Sequence, residues 1–147
     1  MFYNFKQNEM KSYLNTETNS KYIHLVLLVV RVSVAMLMLT HGYPKLMKLL
    51  EGGEIQFADP IGLGQGLSFV LVIFAEFFCS ILIGIGFATR LASIPLIINM
   101  SVAAFVVFAS APISKKEFPI LYLLIYLILL VVGSGKYSVD YLISGKK

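Results

Sequence analysis

The sequence predicts an all-α protein: a four-helix transmembrane bundle with its N- and C-termini on the cytoplasmic side. Three observations predict it. The chain is 58% hydrophobic with only 14% charged residues, where a soluble domain carries about a quarter. Its mean hydropathy is +0.82. Its apolar residues also fall into four runs, and spanning a bilayer takes about 20 such residues.

The runs are Tyr22 to Thr40, Leu67 to Phe87, Leu91 to Ser110 and Phe118 to Ser134. Residues 1–21 form a polar N-terminal tail rich in Asn, Ser, Thr and Lys, a composition that does not build a packed core. Residues 22–147 form the membrane domain. The first run is longer than a signal-peptide core, carries Arg31 and lacks a small-residue cleavage site, so it is read as retained. Gly86 to Leu91 makes a turn so short that the second and third helices must be antiparallel neighbours. The segment His41 to Gly66 is too long for a turn, and long loops are often functional. Within it, Lys45 to Leu50 reads as a short interfacial or re-entrant helix.

Four spans put both termini on one side. That side receives seven basic residues (Lys6, Lys11, Lys21, Arg90, Lys136, Lys146 and Lys147), against Lys45, Lys48, Lys115 and Lys116 on the other. The positive-inside rule therefore places the termini in the cytoplasm. The outer lysines are cancelled by Glu51, Glu54, Asp59 and Glu117, so the formal +4 falls on the inner side. Such a distribution fits anionic lipid, not nucleic acid. The bilayer is thus the first expected partner, and oligomerisation is left open.

Arg31 and Glu76 each stand near the middle of an apolar run. A lone charge at that depth costs about 2.5–3.5 kcal/mol on insertion scales and marks a functional site by default. In antiparallel helices the two would lie at equal depth. They are expected either to form a structural ion pair that fixes helix register or to line a polar pocket. Asn99 in the third run and Tyr122 and Tyr126 in the fourth would join them there. His24, Arg31, Met38 and Lys45 recur every seven residues, on roughly one face of the first helix. His41 can exchange a proton at a ligand carbonyl or be satisfied by loop carbonyls. Lys45 reads as a ligand contact or as an interface lysine whose stem snorkels.

The two histidines, His24 and His41, are seventeen residues apart on one helix, roughly 25 Å, and cannot share an ion. Cys79 is the sole cysteine, which rules out an intramolecular disulfide or a CxxC site. No haem, metal or nucleotide site is evident. GLGQG at Gly62 to Gly66 lacks the preceding strand that a dinucleotide fold needs.

A series of short strings lies between the runs: HGYPK at His41 to Lys45, FADPIGLG at Phe57 to Gly64, FAEF around Glu76 and GFATR at Gly86 to Arg90. IINM at Ile97 to Met100, SKKE at Ser114 to Glu117 and GSGKYSVD at Gly133 to Asp140 follow. In this order and spacing, from about Leu25 to the C-terminus, the chain resembles the DoxX family of small four-helix membrane proteins. The resemblance implies a bacterial-type inner-membrane location. It also implies association with quinone-linked redox systems, as in the small subunit of thiosulfate:quinone oxidoreductase, and hence a membrane or soluble redox partner. Quinone is the ligand it suggests, with Arg31, His41, Lys45, Glu76, Asn99, Tyr122 and Tyr126 as candidate contacts. A proton or small-solute carrier and a non-catalytic membrane anchor are the alternatives the residues leave open.

Overall fold

The computed structural model describes residues 19–145. The polar tail up to residue 18 and the last two lysines lie outside the described residues. Among those described the chain is helical and no strand occurs. Helix α1 is Ser20–Glu51, α2 is Gln65–Ile85, α3 is Thr89–Val107, α4 is Ile113–Val132, and a short α5 is Val139–Ile143. Helices α1, α2 and α3 are long and apolar enough to cross a membrane. Helix α4 carries Lys115, Lys116 and Glu117 in its first turns, and its uncharged part begins at Phe118.

Helix α1 is the main departure from expectation. It does not stop near Thr40; it runs through Pro44 to Glu51, and the separate interfacial helix expected over Lys45 to Leu50 is its final turns. Proline removes one backbone donor, but apolar helix formers follow it, and membrane helices tolerate the loss. Asn19 caps the start by accepting from the Lys21 N–H at 3.0 Å. Gly52, at φ 76°, ends the helix in a conformation glycine adopts without penalty.

Two helices contain a π-helical turn: Phe74–Cys79 in α2 and Ala103–Val107 in α3. Such turns are rare, and many mark functional sites. The helices pack in chain order, α1 on α2, α2 on α3 and α3 on α4, with a lesser contact from α1 to α4. The core joins Val34 and Met38 of α1, Cys79 and Ile83 of α2, Leu96 and Met100 of α3, and Tyr126 and Leu129 of α4. The seams are made by small residues. Ala75, Ser80, Ala92, Ser93 and Ala104 are all buried, the pattern by which helices without a hydrophobic drive between them approach closely. Large apolar side chains point outward instead, among them Met36, Leu67, Leu91, Ile98, Phe105 and Val131. Such a surface is satisfied by lipid.

The register of α1 against α2 sets everything that follows. A Cβ on Gly42 would lie 2.7 Å from the backbone of Glu76, so the two backbones touch there. At the other end, a Cβ on Gly86 would lie 2.5 Å from the guanidinium of Arg31. Gly42 is therefore level with Glu76, and Arg31 with the end of α2. Gly42 stands eleven residues on from Arg31, which separates the two levels by about 16 Å. Arg31 and Glu76 consequently do not form the expected ion pair.

The first turns of α1 extend beyond the end of α2, and the segment after α4 fills the space beside them. Gly135 approaches Leu27 and His24 there.

Candidate functional site

The structure has two polar centres, one at each level. The first is built around Arg31, which is 1% exposed. Its guanidinium donates to three backbone carbonyls: Gly84 at 3.4 Å, Ser134 at 2.5 Å and Tyr137 at 2.7 Å. Those carbonyls come from the end of α2 and from the loop after α4. No carboxylate pairs with it among the described residues. Gly86 (φ 73°) is needed twice, for its backbone angle and because a side chain would strike Arg31.

Asp140, from α5, completes this end. Its carboxylate accepts from the N–H groups of Ala88 at 2.6 Å and Thr89 at 3.1 Å, which are the unsatisfied donors at the start of α3. The Asp140 N–H donates in turn to the Gly86 carbonyl at 2.8 Å. Ala88 adopts φ 49°, the one positive value among described non-glycine residues, and this remote cap holds it there. Burial works against ionisation of Asp140, but the hydrogen bonds from Thr89 and Ala88 outweigh it and keep its pKa below the usual carboxylate value. The strings GFATR and GSGKYSVD thus meet in space, knitted by backbone hydrogen bonds around one buried arginine.

The second centre is built around Glu76, on the π turn of α2. Its side chain is 7% exposed and forms an ion pair with Lys45 of α1, while its other oxygen accepts from the Asn99 amide of α3 at 3.0 Å. Lys45 reaches Glu76 because α1 stays helical past Pro44 and keeps it on the face of Arg31 and Met38. Lys45, expected as a ligand contact or a snorkelling interface lysine, is half-buried and paired with the buried Glu76. Pairing relieves the cost of holding a charge away from water.

These three side chains stand in the wall of a cavity of about 710 Å³, within the range of small-molecule sites. Both π turns border it, through Phe74, Ala75 and Glu76 on one side and Ala103 and Val107 on the other. Its remaining surface is mainly apolar, from Met38, Leu71, Ile98 and Tyr122 among others. His41, at an exposed position, also lines it.

The loop between α1 and α2 lies over this cavity, contributing Phe57, Ala58, Pro60 and Ile61. Asp59 holds the loop in shape, accepting from the N–H groups of Leu63 at 2.9 Å and Gly64 at 2.7 Å and from the Ser68 hydroxyl at 2.8 Å. The Ser68 hydroxyl foremost, with the Gly64 N–H, lowers its pKa. Phe57 rests on Phe69, with ring centroids 5.0 Å apart. Phe69 thus packs under the loop and is not part of the cavity wall.

Of the candidate residues, then, His41, Lys45, Glu76, Asn99 and Tyr122 surround one cavity. Arg31 belongs to the other centre. Tyr126 is fully buried beside Tyr122, ring centroids 6.2 Å apart, and its hydroxyl has no hydrogen-bond partner. Between the two centres lies a layer of buried apolar side chains: Val34, Ala35 and Met38 of α1 with Cys79 and Ile83 of α2. Sequence reasoning missed Asp140 and the Asp59 loop. Asp140 has no local signal, whereas the spacing from Asp59 to Gly64 is that of a carboxylate folding back on its own loop.

A family model described as DoxX matches residues 26–109. No curated protein and no solved structure matches the chain.

Proposed function

Because the chain belongs to the DoxX family of membrane proteins, we propose that it is an inner-membrane subunit of a redox system that binds a lipid-soluble quinone in the cavity beside Glu76. One observation carries the reading. A charge pair and an amide, contributed by three helices, stand in the wall of an otherwise apolar cavity bordered by two π turns. A quinone ring needs apolar walls and its two carbonyls need donors. Lys45 and the Asn99 amide are donors already oriented by Glu76. His41, exposed at the rim, is a further hydrogen-bonding group for the ligand. Electrons would come from a partner oxidoreductase, so this chain holds and orients the ligand and is not by itself the complete enzyme. The topology in this proposal is four spans with both termini in the cytoplasm, α4 starting at the outer surface with Lys115 and Lys116.

An anchor whose charges only fix packing would have a closed bundle, with Glu76 satisfied by Arg31. The open cavity and the different pairing speak against it. A carrier needs a polar route between the two centres, and the layer of Val34, Ala35, Met38 and Ile83 lies across it.

The test is binding of a short-tailed quinone to the full-length protein in mild detergent, with analysis of the lipid extract for copurified quinone. Saturable binding is expected in the wild type, weakened about tenfold or more in Glu76→Gln, which loses a charge-assisted contact worth about 1.5–3 kcal/mol. His41→Ala should bind more weakly as well. Absence of saturable wild-type binding, or binding unchanged from wild type in both variants, would overturn the proposal.

A further inference from the structure

A second hollow, of about 650 Å³, lies at the Arg31 end of the bundle. It is lined by His24 of α1, Arg90 of α3, Ser134 and Lys136 of the loop after α4, and Asp140 of α5. Its charges do not balance. Arg90 and Lys136 are both cations, and behind Ser134 stands the buried guanidinium of Arg31, bonded only to carbonyl oxygens. Asp140 is the one carboxylate in the lining, and both its oxygens already accept from the N–H groups of Ala88 and Thr89. Among the described residues Asp140 is the one negative charge acting on Arg31, so one carboxylate faces three cations, and uncompensated charge held away from water is costly. The Nδ1 atom of His24 is also buried there with no hydrogen-bond partner.

We propose that this hollow binds a phosphate group, as the headgroup of an anionic phospholipid. Lys136 is exposed, with three donors free to turn. Arg90 spends one nitrogen on the Val131 carbonyl at 3.1 Å, which positions its guanidinium over the end of α4 and leaves further N–H groups for phosphate oxygens. The His24 ring nitrogen is an additional donor. The lipid source follows from the rim. Leu91, in the lining, is 70% exposed, and Val131, next to the hollow, is 74% exposed. An acyl chain can lie along these apolar side chains while its phosphate sits among the cations. Basic pockets of this kind between membrane helices hold anionic headgroups. The site is distinct from the cavity beside Glu76 and does not depend on what binds there.

The experiment uses the full-length protein in detergent with phosphatidylcholine, to which phosphatidylglycerol or inorganic phosphate is added. Native mass spectrometry counts retained lipid and thermal unfolding reports binding. Phosphatidylglycerol should be retained in preference to phosphatidylcholine and should raise the melting temperature. Lys136→Gln, at an exposed position that leaves the fold intact, should weaken this about fivefold, the amount expected for one surface cation. Arg90→Gln combined with it should weaken it further. Lys115→Gln, the same charge change at the other end of the bundle, serves as the reference and should change nothing. A matching rise with inorganic phosphate would identify the phosphate group itself as the ligand, and a rise with lipid alone the phospholipid; either supports the site. Equal retention of both lipids with no phosphate effect would overturn it, as would a Lys136→Gln response no different from that of Lys115→Gln.

Discussion

Gly42 of α1 rests directly on the backbone of Glu76 of α2, at a separation that leaves no room for a methyl group. The contact lets Lys45, one turn on, reach the Glu76 carboxylate. Gly42→Ala must therefore separate the helices or rotate one against the other. We expect it to destabilise the protein by about 1–3 kcal/mol, the usual cost of overpacking, despite the better helix propensity of alanine. Gly66→Ala, where the added carbon meets nothing within 4 Å, should cost little. Thermal unfolding in detergent compares the two.

Replacing Lys45 by Met leaves the Glu76 carboxylate buried with only Asn99, and should cost about 3–5 kcal/mol. Adding Glu76→Gln should recover much of that loss. The corresponding cycle with Arg31→Met and Glu76→Gln should be additive to within about 0.5 kcal/mol, because the residues share no partner. Strong coupling between Arg31 and Glu76 would contradict the register.

Asp140 links acidity to stability. Its folded pKa lies below the ordinary carboxylate value, so its contribution is present above about pH 4 and is lost as the pH falls through the folded value. Asp59 has the same sign. Melting temperature should therefore fall as the pH drops from about 5 toward 3. Asp140→Asn should be less stable at neutral pH by about 1 kcal/mol, the scale of a helix cap, with a flatter acid dependence. A parallel pH profile in wild type and variant would disprove the assignment.

Topology is testable with single cysteines, because the native Cys79 is 1% exposed and offers no competing thiol. An impermeant reagent applied to intact cells should label Glu51→Cys and Lys115→Cys but not Lys21→Cys or Ser144→Cys. The reverse pattern would invert the orientation drawn from loop charge.

How much of this could be read beforehand differs between the two centres. The apolar runs predicted the helices, and rarity of charge singled out Arg31 and Glu76. Their partners were misjudged because depth was counted from a first span ending at Thr40. Two signals pointed the other way. Lys45 already fell on the Arg31 stripe, and a glycine at position 42 is the kind of small residue at which two membrane helices approach closely. The arginine site was harder to read, because its acceptors are the carbonyls of Gly84, Ser134 and Tyr137, and a backbone carbonyl has no letter in the sequence. Asp140 was invisible for a related reason: it caps a helix that begins about fifty residues earlier, so no local spacing announces it.

The layer of Val34, Ala35, Met38, Cys79 and Ile83 also has an electrical meaning. Moving one elementary charge through 100 mV changes its energy by about 2.3 kcal/mol, so a wet path joining the two ionised ends would short-circuit an energised membrane. Buried apolar side chains put a dielectric barrier there instead. The bundle can keep ions at both levels and still insulate, and proteoliposomes containing it should hold a proton gradient as long as empty vesicles do.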